Sequence, residues 1–224
     1  MGKKELLPED TIIVWGANPA NDYRKVFEHA IGKESAEKID LFSHAGRTLK
    51  EALEEHLNPS GHKTMPEILS ERRFDIISEP DKEFIIAFDK AITEFGYDFG
   101  GVIGGGAVWG RNAIVYGKTG VKNRPVIARI YIRVDGSIVL RLFIHKVENH
   151  VKYIETAPAH IKEVFTYPHE DCKTCGKNCR GSNCKEYSDG FLMRACSPDW
   201  YFKPSVEKVP DYMNLLSEFY PKKK

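Results

Sequence analysis

The sequence predicts an α+β fold, a mostly antiparallel, hairpin-centred sheet packed with helices, with a cysteine-rich, zinc-type loop near the C-terminus. Three observations predict it. Apolar residues recur at helical spacing as far as Phe95. Beyond them, stretches 126–134 and 138–145 alternate strictly on either side of Asp135-Gly136. All five cysteines then fall between Cys172 and Cys196. Helices first and hairpins later is not the alternation of a doubly wound sheet.

Thr11-Ile-Ile-Val-Trp15 reads as a short buried strand stopped by Gly16 and the Asn18-Pro19 turn. Tyr23, Val26, Phe27, Ala30 and Ile31 then form one helical stripe, with Asn21 or Asp22 as N-cap and Gly32 as the stop. Thr48 and Glu51 have capping-box spacing ahead of Leu49, Ala52, Leu53, His56 and Leu57. The Pro- and Gly-containing stretch 58–66 is a loop. Asp81 is the expected cap of a helix with the broad stripe Phe84, Ala87, Phe88, Ala91, Ile92 and Phe95, closed by Gly96. Residues 1–80 are thus expected to be an N-terminal helical portion, and 81–224 an α+β domain that includes the cysteine-rich segment 169–196.

Ala113-Ile-Val-Tyr116 is a short strand, and the alternating pair after it fixes its own register. Ala128, Ile130 and Ile132 must share a dry face with Ile138, Leu140, Leu142 and Ile144. Opposed residues lie on one face, so the turn must be odd, a three-residue loop with a glycine bulge. The other face then carries Ile127, Arg129, Tyr131 and Arg133 beside Val139, Arg141, Phe143 and His145. Residues 147–165 read as helix broken near Pro158, Phe191 to Phe202 as a hairpin, and Pro210 to Tyr220 as a terminal helix presenting Met213, Leu216 and Tyr220.

The chain has 224 residues, enough for a sizeable core, and a formal net charge of +1. That small total hides an asymmetry. The first hundred residues are acidic. Stretch 101–146 carries Arg111, Lys118, Lys122, Arg124, Arg129, Arg133, Arg141 and Lys146 against one acid, Asp135. Two readings compete: a surface for an anionic ligand, or a basic half that packs against the acidic one. No apolar run is long enough to span a membrane, and the first residues lack a signal peptide's apolar stretch, so a cytoplasmic protein without membrane partners is expected.

In a reducing compartment, clustered cysteines are expected to be metal ligands or redox thiols before disulfides. Their spacing is Cys172-x2-Cys175-x3-Cys179-x4-Cys184-x11-Cys196, with His169 upstream. A Cys-x2-Cys knuckle converges two thiolates on one tetrahedral point, which suits structural zinc. Cys184 and Cys196 are the favoured second pair, because Cys196 would tie the loop to a strand; Cys179 and His169 are alternates. Free thiols, a disulfide, or iron–sulfur or redox chemistry compete, although the spacing differs from ferredoxin runs and the pair lies in a loop instead of opening a helix.

Gly100-Gly-Val-Ile-Gly-Gly-Gly106 invites a phosphate-loop reading, but no Gly-Lys-Ser/Thr follows and the next element reads as strand. A turn or close backbone packing suits it better. The polar hairpin face offers Arg129, Tyr131, Arg133, Arg141, Phe143 and His145 for an anionic small molecule or nucleic acid, with Trp109, Arg111 and Tyr116 as extensions. The competing reading is arginine stems laid over aromatics for cross-strand packing. An enzyme using His145 and nearby arginines, or an interaction module built on the zinc loop, are the alternatives.

Tyr116-Gly-Lys-Thr-Gly-Val-Lys122, Arg129-Ile-Tyr-Ile-Arg133, Ile138-Val-Leu-Arg-Leu-Phe143, the run from Tyr153 to Phe165 and the following cysteines resemble a group of conserved uncharacterised proteins from anaerobic Gram-positive bacteria. The resemblance covers roughly residues 84–220. It implies a shared cysteine site at Cys172, Cys175, Cys184 and Cys196, and it implies no activity.

Overall fold

The computed structural model describes residues 6–14, 20–57, 63–106, 110–168, 185–186, 191–193 and 199–221. Within them the fold is α+β, an antiparallel sheet packed with helices. The N-terminal unit holds α1 (Ala20–Ile31), α2 (Lys33–Glu37) and α3 (Leu49–Leu57). Tyr23, Val26 and Phe27 of α1 bury against Ile39, Leu41, Leu49 and Ala52 in a small core of their own. Gly32, at φ 83°, follows α1 in a positive-φ conformation that glycine adopts without strain. The Thr48 box closes as its spacing requires: Glu51 Oε2 accepts from the Thr48 amide at 2.8 Å, and Thr48 Oγ1 accepts from the Glu51 amide at 3.1 Å.

The expected strand at Thr11 is only an isolated bridge between Ile12 and Thr48. The segment still bonds to the loop before α3, through Ile13 N to Arg47 O at 2.7 Å and Gly46 N to Ile13 O at 2.8 Å. Ile13 is buried, whereas Ile12 and Val14 are exposed, so the described residues of this segment form no continuous buried strand.

The larger core begins at Met65, on α4 (Met65–Leu69), and runs to the C-terminal helix. Helix α5 (Glu79–Glu94) starts earlier than its pattern suggests. Ser78 is its N-cap and accepts from the Asp81 amide at 3.3 Å, because Pro80 is tolerated inside a first turn. Phe84, Ile85, Phe88 and Ile92 are fully buried.

The sheet runs in the order β1 (Tyr97–Asp98), β3 (Asn112–Lys118), β4 (Val126–Ile132), β5 (Ile138–Phe143) and β9 (Asp199–Phe202). Strand β2 (Ile103–Gly105) shares the outer edge of β3 with β1. Loop 99–102 therefore projects from that edge between two points of attachment. Ile132 pairs with Ile138, and Gly136 takes φ 83° in the loop between them, so the odd turn and glycine bulge form as the alternation demands. A side chain at Gly136 would begin 2.1 Å from the Ile76 carbonyl oxygen, which makes glycine obligatory there on two grounds.

Core-face residues fall into cross-strand rows: Ile114, Ile130, Leu140 and Phe202; then Tyr116, Ala128, Leu142 and Trp200. Helices α6 (Val151–Thr156), α7 (Ala159–Phe165) and α8 (Val209–Phe219) contribute Ile154, Ile161, Phe165, Tyr212, Leu215 and Leu216 to the same core. Trp200 donates its indole N–H to the Ile144 carbonyl at 3.2 Å, satisfying its one buried polar atom.

Four expectations need correction. Phe191 to Phe202 is not a hairpin: β9 pairs with β5, while β8 (Phe191–Met193) pairs with β6 (Thr166–Pro168) and β7 (Lys185–Glu186). Trp200 and Phe202 bury on the core face of the main sheet, and this draws β9 there. Ile127 joins the main core instead of the polar face, because a register irregularity between Tyr116 and Gly117 interrupts the alternation at that point. Tyr116 also belongs to the core face, fully buried against Phe88 with ring centroids 5.5 Å apart. The terminal helix buries Tyr212, Leu215 and Leu216, with Met213 and Tyr220 at its margin.

Candidate functional site

The N-terminal unit meets the sheet through polar groups, and the seam between them encloses a cleft of about 510 Å³. Asn112, wholly buried at the start of β3, donates from Nδ2 to the Ala45 carbonyl at 3.1 Å and to the Gly104 carbonyl at 3.3 Å. Arg73 Nη1 donates to the same Ala45 oxygen at 2.8 Å, to Ser43 O at 3.3 Å and to Ile103 O at 3.5 Å. One carbonyl thus anchors two donors from different elements. Its loop is held tight by Gly46 at φ 84°, where a side chain would begin 3.6 Å from Arg73 and from Arg111 Nε.

Glu71 organises the cleft's charges. Arg47 donates to it twice, from Nε at 3.2 Å and Nη2 at 2.6 Å, in the bidentate geometry that suits guanidinium and carboxylate. Arg73 Nε donates to Glu71 at 2.9 Å and Lys63 Nζ at 3.0 Å. Glu55 accepts from Arg47 Nη1 and lies 3.6 Å from Lys63. Three cations therefore face two carboxylates. Burial works against the Glu71 charge, but the Arg47 hydrogen bond and the Arg73 and Arg47 charges hold its carboxyl below the usual range. Burial lowers Arg73 to about 10, which leaves it charged at neutral pH.

His44 completes the lining and has a defined protonation state. Burial first, and the Arg47 charge second, lower it to about 4, so it is neutral at physiological pH. Arg47 Nη1 lies 3.2 Å from His44 Nδ1. A guanidinium can only donate, so Nδ1 accepts and the ring proton must sit on Nε2. Arg73 Nη2 has no hydrogen-bond partner among the described residues, although the Arg73 side chain is only 4% exposed. The cleft consequently offers an N–H from His44, a guanidinium edge from Arg73 and the Lys63 ammonium. Gly100, Gly101, Val102 and Ile103 line its sheet side.

The sequence-designated face lies elsewhere. Arg129 and Arg141 are direct cross-strand neighbours on the sheet's opposite face. Arg141 donates to the Tyr131 hydroxyl at 2.9 Å and Arg129 at 3.4 Å, and their guanidinium carbons lie 4.5 Å and 5.3 Å from the Phe143 ring centroid. Tyr131 is buried, Arg133 and His145 are exposed, and His145 lines none of the cavities described here. The structure brings Arg129, Tyr131, Arg141 and Phe143 together; Arg133 and His145 lie at the margins. Cys172, Cys175, Cys179, Cys184, Cys196, His169 and Trp109 lie outside the described residues. Among the described residues no His, Cys, Asp and Glu side chains group as a metal site.

Sequence reasoning missed His44, Arg47, Glu55, Lys63, Glu71 and Arg73. Their one local signal is the tight loop His44-Ala-Gly-Arg47 ahead of a capped helix, which places two polar side chains beside a glycine turn.

The fold and site define an α+β protein with a net-cationic cleft at a buried polar seam. No protein-family model, no curated protein and no solved structure matches the chain. No helix among the described residues is long and apolar enough to cross a membrane.

Proposed function

We propose that this protein is a binding module for a small anionic molecule held in the cleft between His44, Lys63, Arg73 and the Gly100–Ile103 loop. The observation that carries the reading is the donor set. Neutral His44 presents Nε2–H, Arg73 Nη2 has no partner among the described residues, and both carboxylates are already engaged by Arg47, Arg73 and Lys63. A phosphate or carboxylate oxygen would complete this set, and a cation would meet like charge. The sheet face supports the packing reading better, since its central guanidiniums rest on their own aromatic ring and phenol.

Calorimetric titration with inorganic phosphate tests the proposal. Binding should weaken as salt rises, fall about tenfold in Lys63→Met from loss of a charged contact, and stay unchanged in Arg133→Ala. Loss of binding in Arg133→Ala with none in Lys63→Met would move the site to the sheet and overturn the reading.

The cysteine spacing supports a second, structural component: a zinc ion held by Cys172, Cys175, Cys184 and Cys196, with Cys179 and His169 as alternates. Metal analysis of the purified protein should find about one zinc per chain. A metal-free protein whose stability is unchanged in Cys172→Ser and Cys196→Ser would remove this component.

A further inference from the structure

A second cavity, of about 320 Å³, lies against the first, and Gly100 and Val102 line both. Its floor is the sheet face opposite the main core, formed by Gly104, Ala113, Val115 and Gly117. The Phe42 ring covers Gly104 so closely that a side chain there would begin 1.8 Å from it. Arg124 covers Gly117 at the other end, with its Cβ and Nε 3.2 Å from where a side chain would start. Phe99 and Val126 also line the trough.

Arg124 is held at a cost. Its φ of 29° is a conformation that residues other than glycine rarely adopt, and its guanidinium donates to the Asp98 carbonyl at 2.7 Å and to the Asp98 carboxylate. Gly100 permits this position, since a side chain there would begin 2.5 Å from Arg124 Nη1. Val102, an apolar residue 41% exposed on the projecting loop, stands on the divide between the donor-lined cleft and the apolar trough. The two glycines before it take φ 72° and 76°, so the loop turns back sharply beside the residues that line both cavities.

We infer that the ligand of the cleft is an aromatic phosphomonoester of mononucleotide type, its phosphate among His44, Lys63 and Arg73 and its ring in the trough between Phe42, Phe99 and Arg124. The inference rests on the anion-binding reading of the cleft. The floor bears only short side chains between Phe42 and Arg124, and aromatic and guanidinium walls favour a π-system over an acyl chain. The charged and flat parts of such a molecule have the same adjacency as the two cavities.

Calorimetric titrations of the full chain with inorganic phosphate, phenyl phosphate and adenosine monophosphate separate the two readings. Adenosine monophosphate should bind at least about tenfold tighter than inorganic phosphate, the gain expected of one stacked ring, with phenyl phosphate between them. Ala113→Leu, which fills the floor, should bring the nucleotide close to the affinity of phosphate and leave phosphate binding unchanged. Val115→Phe, at a half-buried position of the same floor, gives the same test should Ala113→Leu fail to fold. Phosphate bound with no preference for the ring-bearing ligands would overturn the trough and spare the cleft. Absence of binding by all three would overturn both.

Discussion

Two pairs of arginines occupy opposite kinds of environment in this protein. Arg47 and Arg73 share one carboxylate, Glu71, at a buried seam beside an open cleft. Arg129 and Arg141 share one phenol, Tyr131, and one ring, Phe143, on a sheet face. Stacking and a neutral hydrogen bond hold the second pair in place, and the stems cover the strands. Charge holds the first pair, and its geometry leaves donors facing a cavity. The first pair lines a cavity, whereas on the sheet face Arg129 Nε is buried without a hydrogen-bond partner among the described residues; what marks the cleft is the open volume its donors reach, not the number of basic residues.

The sharpest way to break this comparison is to remove the shared partner on each side. Glu71→Ala leaves three cations crowded without their main acceptor, and should lower unfolding stability by about 3–5 kcal/mol in denaturant titration. A loss under about 1 kcal/mol would mean that the seam is hydrated and loose, as exposed pairs are.

Protonation of His44 should produce the next largest effect. Its pKa is lowered in the fold to about 4, so the unfolded chain binds the proton first as pH falls. The His44 contribution is whole above about pH 6.5, declines as pH falls towards 4, and totals about 3 kcal/mol. Asp89 works in the other direction. Burial raises it to about 6, so its contribution is lost as pH rises from the usual carboxylate range through 6. The opposed slopes partly cancel between pH 4 and 6. His44→Gln should therefore make stability fall more steeply with rising pH in that window than it does in the parent protein, measured by thermal or urea unfolding. Parallel profiles would show that His44 is not buried in its neutral form.

Tyr131→Phe is the matching change on the sheet face and should be milder. It removes one hydroxyl that accepts from two guanidiniums, and about 1–2 kcal/mol of stability should go with it. Phosphate affinity should not move. Weaker phosphate binding in Tyr131→Phe would tie the face to the ligand after all.

The unequal legibility of the two clusters has a physical origin. The sheet pair sits in strands whose period-two alternation fixes both face and register, so Arg129 opposite Arg141 follows from the sequence alone. The cleft is assembled from loop 43–47, helix α3, Lys63, the turn at 71–73 and loop 100–103, and no single period links them. The 3-10 turn at Arg72–Phe74 buries Arg73 and leaves its neighbour Arg72 at the surface, a difference that no local pattern specifies. The Thr48 capping box was readable because its four residues are local. The partnership of β9 with β5 was not, because only tertiary burial of Trp200 and Phe202 decides it. The Gly100–Gly106 run was correctly readable as close packing at Gly104 and Gly106, where a side chain would meet Phe42 and the Gly110 backbone.

Nitrogen-15 NMR of the histidine and arginine side chains during a titration with inorganic phosphate tests the central claim most directly. At neutral pH, His44 should show the neutral ring with its proton on Nε2, and phosphate should shift His44 Nε2 and the Arg73 guanidinium while Arg129 and Arg141 stay in place. A charged His44, a proton on Nδ1, or shifts confined to Arg129 and Arg141 would contradict it.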